Sequence, residues 1–264
     1  MACSKLELRS RPGLASGALV SGALTQKIET HPMDKVLVIT GGSRGIGLAA
    51  VELFSSAGYR IINLSRSNTN LELAEQICVD FTNSNWLESS LNSITKLVGK
   101  PDQLVLIHNA AVLLKDDVRN AKNLAAVLQL NLVAPQQLNE LIIPLMPSGS
   151  SILYIGSTLS HKAVARTLTY STSKHGVLGL MRASCQDLAG SGIHTACICP
   201  GFTDTQMLRE HIGQDPETLK VLGKSNAFAR LVQPDEIAAC LKFCAENPAI
   251  NGASIDVNLG QIEH

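Results

Sequence analysis

From Lys35 onward the chain alternates short β-branched runs with longer stretches of helical character, and this rhythm limits the possible folds more than any other feature. The runs are Lys35 to Thr40, Arg60 to Leu64, Gln76 to Phe81, Gln103 to His108, Ser151 to Gly156, His194 to Cys199 and Ser254 to Leu259. Between most of them lie Gly45 to Ala57, Asn85 to Val98, Ala121 to Met146 with an internal Pro135, Thr169 to Ala189, and Pro234 to Cys244. Strands linked through helices pair in parallel with right-handed crossovers, and near-continuous apolar strands are covered on both faces. The expectation is a doubly wound α/β fold, one parallel seven-stranded sheet in a single domain over residues 33–264. In such a sheet, ligands bind beyond the carboxyl ends of the strands.

The 264 residues are 45% hydrophobic and 17% charged, enough apolar material for that core and too little charge for a disordered chain. Residues Met1 to Pro32 stand apart. They are rich in small residues, carry no sustained amphipathic period, and read as a flexible leader: a transit peptide, vector-derived residues, or an upstream start ahead of Met33, the last two together being favoured.

Charge and composition exclude several functions. Lys+Arg and Asp+Glu are balanced at 22 each, which argues against a nucleic-acid partner, because phosphate-backbone affinity needs a clustered positive excess. Aromatics are only 3%, too few for base-stacking platforms. The longest apolar candidate, Ala125 to Leu145, is broken by Gln129, Asn131, Pro135 and Gln136, so no membrane span is expected. Seven cysteines without a C-x-x-C pair fit a reducing compartment, hence a cytoplasmic location. Cys197 and Cys199 would share a strand face, and Cys240 and Cys244 a helix face. Buried thiols behave as small hydrophobes, so no metal site is assigned.

The first strand runs into Thr40-Gly41-Gly42-Ser43-Arg44-Gly45-Ile46-Gly47 and then directly into a helix. Gly41 permits a tight exit, Gly45 lets backbone N–H groups approach a pyrophosphate, and Gly47 lets the helix lie close to the sheet. The spacing is G-x-x-x-G-x-G, and by itself it also fits a simple left-handed turn before a helix. The second strand ends in Ser65-Arg66, where a carboxylate would hold the 2′-hydroxyl of NAD. Ser65 in that place, with Arg66 and Arg44 nearby, suits the 2′-phosphate of NADP(H) through charge-assisted hydrogen bonds.

Tyr170 and Lys174 are i and i+4 on the helix after the fifth strand, so both project from one face. A phenol with an unperturbed pKa near 10 exchanges protons poorly at neutral pH. The Lys174 ammonium is expected to bring it down, at roughly 4 kcal/mol of differential interaction. Ser157, at the end of the fifth strand, can hold a substrate oxygen while Tyr170 handles the proton and hydride moves to or from nicotinamide.

In these residues the chain resembles the short-chain dehydrogenase/reductase family from about Lys35 to Gly260. The motifs run in order through Thr40, Gly41, Gly45 and Gly47, then Asp80, Asn109-Ala110, Asn131, Ser157, Tyr170 and Lys174, and finally Pro200-Gly201 and Thr205. The resemblance implies a Rossmann fold with catalytic Asn131, Ser157, Tyr170 and Lys174. It implies that Asp80 contacts the adenine, Asn109 lines the cofactor cleft, Asn131 anchors a water chain from Lys174, Thr205 meets the nicotinamide carboxamide, and Lys174 also binds the nicotinamide ribose. Ser43, Ile46, Phe81 and Thr203 are added to the cofactor-binding set. The sequence departs from the family at Ala111, where a glycine is usual, and at Asn258-Leu259-Gly260, where many relatives have paired glycines.

The leading expectation is an NADPH-dependent reductase of a small-molecule ketone or aldehyde, homodimeric or homotetrameric by the resemblance. The nearest rival is a 3-oxoacyl-acyl-carrier-protein reductase. Such relatives tend to place arginine at the positions of Ser148 and Ser191, which weighs against it. A non-catalytic NADP-binding sensor or scaffold is the reading from another class. His108 and His161 are expected to be structural or substrate-lining, Asp116-Asp117 a solvated turn, and Gln206 to Ala229 a movable helical lid.

Overall fold

A computed structural model describes residues 33–67, 72–213 and 215–262; the leader expected over residues 1–32 lies outside them. Val36, Leu37, Val38 and Ile39 have no solvent exposure, so β1 (Lys35–Thr40) is covered on both faces. The same holds for β2 (Arg60–Ser65), β4 (Gln103–His108), β5 (Ser151–Ile155) and β6 (His194–Pro200), whose interiors are buried throughout. With β3 (Glu75–Cys78) and β7 (Ala253–Val257) they form one seven-stranded parallel sheet in the order β3-β2-β1-β4-β5-β6-β7. The doubly wound α/β expectation is met. The chain first winds outward from β1 to β3 and then returns to β4 beside β1, so a crevice opens at the carboxyl ends of those two strands.

Alternate strand positions feed two cores. Val38, Leu106, Ile152 and Tyr154 pack with Trp86, Leu138 and Met181 from α2 (Trp86–Val98), α4 (Ala134–Ile142) and α5 (Leu168–Asp187). Leu37, Ile39, Ile107 and Leu153 pack on the opposite face with Val51, Phe54 and Leu241 from α1 (Gly45–Ser56) and α8 (Pro234–Glu246). Each large aliphatic side chain so buried contributes about 1.5–3 kcal/mol. Among the described residues no helix is long and apolar enough to cross a membrane.

Three departures from the sequence reading have a visible local cause, the other boundaries shifting by one or two residues. Strand β3 ends at Cys78 rather than Phe81, because the Asp80 carboxylate accepts from the Thr82 amide (3.0 Å) and hydroxyl (2.7 Å), turning the chain away. Strand β7 ends at Val257 rather than Leu259, since Asn258 Oδ1 accepts from the Gly260 amide (3.0 Å) and Leu259 has φ 57°. The helix expected from Ala121 to Met146 is broken into α3 (Leu124–Leu128), a π-helical turn at Gln129–Val133, α4, and a 3₁₀ turn at Ile143–Leu145. Pro135 offers no N–H to the turn before it, and the wider π turn accommodates the missing bond. The segment from Gln206 to Ala229 contains α6 (Gln206–Ile212) and α7 (Pro216–Gly223), capped by Thr205 and Asp215.

His108, at the end of β4, points into the core. Its Nε2 lies 2.8 Å from Asn139 Oδ1, Asn139 Nδ2 donates to Tyr154 Oη (2.8 Å), and the His108 and Tyr154 rings stack at 4.8 Å. The structural reading of His108 therefore holds. Burial pushes its pKa down to about 4, against the opposing Asn139 hydrogen bond. The unfolded chain, with an ordinary histidine, binds the extra proton first as pH falls from about 6.5 toward 4, so stability is complete above that window and declines through it. Between pH 7 and pH 5 the His108 contribution to this loss is roughly 2 kcal/mol. Urea unfolding at the two pH values checks it: His108→Gln should remove that part of the pH dependence.

Candidate active site

The glycine turn after β1 is held by Asn109, the first residue past β4. Its Nδ2 donates to the Thr40 (3.0 Å) and Gly41 (2.9 Å) carbonyls, while the Asn109 and Ala110 amides both donate to Thr40 Oγ1 at 3.0 Å. Gly41 and Gly45 have φ of 71° and 55°, conformations that side chains disfavour. A Cβ on Gly47 would lie 2.2 Å from the Gly41 carbonyl oxygen and 2.6 Å from Asn109 Nδ2, so the start of α1 can touch the turn only as glycine. Arg44 occupies the N-cap of α1 without a capping side-chain bond, and the first turn holds no acid. Such a terminus presents N–H groups to an anion. Ile46 packs on the α1/α8 core, a support for the loop.

Beneath the loop lies a polar network that the sequence reading missed. Asn63, fully buried on β2, accepts from the Gly42 amide at 2.8 Å and donates to Gln76 Oε1 at 2.8 Å. Ser43 and Ser65 hydroxyls meet at 2.8 Å, and Gln76 Nε2 donates to Ser65 Oγ at 3.0 Å. An asparagine inside an otherwise apolar strand was the available signal. The exposed Arg44 and Arg66 border a cleft of about 250 Å³ that Ala111, Val112, Met207 and His211 also line. Arg44 Nη1 is 3.7 Å from Glu210 Oε1, a contact between the loop and α6. Asp80 is exposed, and the Thr82 hydroxyl and amide hold its carboxyl below the ordinary range, with Arg66 adding to them. Phe81 is buried edge-on against Trp86, at 4.8 Å between ring centres, and so anchors the loop from the core.

Three of the four predicted catalytic residues, Ser157, Tyr170 and Lys174, meet around the end of β5, and Asn131 lies apart from them. Ser157 Oγ accepts from the Leu159 amide at 3.1 Å and stands close enough to the Tyr170 phenol to lower its pKa. Lys174 is buried and donates to the Ile155 carbonyl at 2.7 Å, with its Nζ 5.5 Å from the Tyr170 ring centre. Asn131 sits in the π turn, accepts from the Val112 amide at 3.0 Å and donates to Ser173 Oγ at 2.9 Å, tying the segment after β4 to α5. The electrostatics correct one expectation. Although Tyr170 retains some exposure, burial pushes its phenol up to about 12, against the lowering effect of Ser157. Lys174 is pushed down to about 8 by burial and is engaged with a carbonyl. Burial thus keeps the phenol protonated rather than primed toward phenolate.

Asp116 also departs from the sequence reading. Its Oδ1 accepts from the Thr169 amide at 3.0 Å and so fastens the first turn of α5 next to Tyr170, whereas Asp117 does form a local turn with Asn120. On the far side of the crevice the Gly201 amide donates to the Val257 carbonyl (3.0 Å), Thr203 Oγ1 donates to the Gly201 carbonyl (3.0 Å), and Pro200 closes β6. Thr205 caps α6 through the Leu208 amide at 3.3 Å, and a Cβ on Gly45 would meet its methyl at 3.3 Å. Thr205 therefore faces the glycine loop directly.

A doubly wound sheet with an anion-ready glycine turn at its switch point and a Ser-Tyr-Lys cluster at the neighbouring strand end defines the class of dinucleotide-binding α/β enzymes. The family model for short chain dehydrogenase matches residues 35–215. Carbonyl reductase family member 4 of Xenopus laevis is 28% identical over 243 residues, covering 86% of this chain and 98% of that protein. The 3-oxoacyl-acyl-carrier-protein reductase of Vibrio cholerae is 27% identical over 240 residues, covering 86% and 96%. Among solved structures, ligand-free aldohexose dehydrogenase of Thermoplasma acidophilum superimposes with a TM-score of 0.80 at 28% identity, covering 86% of this chain and 94% of that one. A blue fluorescent protein from a metagenomic library, in complex with NADPH, gives 0.76 at 26% identity, covering 86% and 97%. The chain belongs to the short-chain dehydrogenase family, whose members are oxidoreductases that bind nicotinamide cofactors.

The crowding around Gly47 gives a direct test. Gly47→Ala is expected to cost about 1–3 kcal/mol as an overpacked contact. Gly179→Ala on α5, where a Cβ meets nothing within 4 Å, should be neutral or stabilising by about 0.5–1 kcal/mol. Urea midpoints of the two variants against the parent separate these outcomes.

Proposed function

We propose that the protein is an NADPH-dependent reductase that converts a small-molecule ketone or aldehyde to the alcohol. The observation that carries this reading is Lys174 one helical turn beyond Tyr170, its Nζ 5.5 Å from the phenol ring, with Ser157 near enough to act on the phenol and Arg44 and Arg66 bordering a cleft of the same protein face that Ala111 and Val112 line after β4. When bound, the reduced dinucleotide supplies a hydride to the carbonyl carbon. Ser157 Oγ orients the carbonyl oxygen, and Tyr170 Oη gives that oxygen its proton, a role suited to a phenol that stays protonated at neutral pH. Lys174 restores charge balance behind Tyr170, and Asn131 fixes the π turn against α5. Arg44 and Arg66 take the 2′-phosphate, since Ser65 puts no carboxylate at that place.

The rival reading, a 3-oxoacyl-acyl-carrier-protein reductase, draws support from the Vibrio cholerae relative. Ser148 and Ser191 are exposed and uncharged, and Ser191 is engaged with the Leu188 carbonyl at 2.7 Å, which favours a small substrate over an acidic carrier. A homo-oligomer in a reducing cytoplasm completes the proposal; six free cysteines among the described residues support that compartment.

NADPH consumption with a panel of activated diketones and aldehydes tests the reaction. Tyr170→Phe should lower kcat by about 100-fold or more, and turnover equal to the parent would overturn the assigned proton donor. Arg66→Ala should raise KM for NADPH roughly tenfold, the loss of one charge-assisted hydrogen bond, with NADH kinetics unchanged. Equal efficiency of the parent with both cofactors would overturn the NADPH assignment.

A further inference from the structure

Strands β6 and β7 set Cys199 directly beside Asp256, and Cys197 beside Ser254. Because alternate side chains share a face, all four stand on the same side of the sheet. His161, just past the 3₁₀ turn at Thr158–Ser160 that follows β5, folds over them. Its Nε2 lies 3.0 Å from Ser254 Oγ and 3.6 Å from Asp256 Oδ1, while Cys199 Sγ lies 3.7 Å from Ser254 Oγ. The ligand atoms of His161, Cys199 and Asp256 all lie within 4.8 Å of one another.

Burial differs across the cluster in a way that suits an ion. Cys199 is fully buried at the base, whereas the His161 and Asp256 side chains are 38% and 51% exposed, leaving one side open to solvent. The His161–Asp256 separation of 3.6 Å is too long for a good hydrogen bond. It is close to the roughly 3.4 Å edge of a tetrahedron whose nitrogen and oxygen ligands stand about 2.1 Å from zinc.

We propose that His161, Cys199 and Asp256 form a binding site for one borderline-soft divalent cation of the Zn²⁺ class, with a fourth position open to water. Thiolate, imidazole and carboxylate together select such an ion over Mg²⁺ or Ca²⁺, which prefer all-oxygen sites. The ligands come from three separate segments with no metal-binding spacing, so no motif in the sequence marks the site. The site abuts the catalytic centre, since a Cβ on Gly156 would sit 2.8 Å from both Cys197 and Cys199 sulfurs, one residue before Ser157. It stands independently of the reductase reading.

Titration of the chelator-treated full chain with Co²⁺ tests the site. One equivalent should give intense tetrahedral visible bands and a near-ultraviolet sulfur-to-cobalt transition, both removed by Zn²⁺. Cys199→Ser should abolish the sulfur transition, and the more exposed His161→Ala and Asp256→Asn should each weaken binding by more than about tenfold. Cys240→Ser, on α8, should leave the spectrum unchanged. Weak, six-coordinate bands, a sulfur transition that survives in Cys199→Ser, or one lost in Cys197→Ser but kept in Cys199→Ser would each overturn the proposal. Circular dichroism of every variant separates loss of ligation from loss of fold.

Discussion

The clamp between the ends of β1 and β4 is the interaction on which the rest of the site depends. Asn109 closes both Thr40 and Gly41 carbonyls, and the Thr40 hydroxyl takes two amides in return. Parallel strand ends splay where the winding direction reverses, and this exchange joins them without filling the crevice. The glycine turn, the start of α1 and the wall formed by Ala110 and Ala111 all take their positions from it. Asn63 performs the matching task from below, through the Gly42 amide. The nucleotide end of the cleft is thus built by two asparagine side chains that contribute no charge.

The cluster of Ser157, Tyr170 and Lys174 is organised by burial more than by charge. Lys174 is held at the Ile155 carbonyl, and burial keeps the phenol of Tyr170 bound to its proton. A phenol that keeps its proton suits the donor role proposed for Tyr170. On the proposed mechanism, alcohol oxidation would need the ammonium group brought to bear on the phenol, so the two directions would not share a pH profile.

Much of this architecture is legible in the sequence. Buried parallel strands are continuous apolar runs, so β1, β4, β5 and β6 can be read directly, and Tyr170 and Lys174 stand out because i and i+4 share a helical face. What escapes are features decided by side-chain bonding to the backbone. Asp80 and Asn258 terminate strands through such bonds, Asp116 reaches the start of α5 from a distant loop, and Pro135 forces a π turn that helical periodicity does not reveal. The balance between Tyr170 and Lys174 also escapes, because helical spacing says nothing of the Ile155 carbonyl that competes for the ammonium.

The π turn at Gln129–Val133 has one further consequence. An α-helix rotates by about 100° per residue, so the extra residue in this wide turn re-phases everything before it relative to α4. Were the turn to relax into regular helix, Asn131 would swing away from Val112 and Ser173 while Leu138 and Ile142 kept their places in the core. The irregular backbone thus works as a vernier, letting one face of a continuous rod pack into the core at one end while Asn131 braces Val112 and Ser173 at the other.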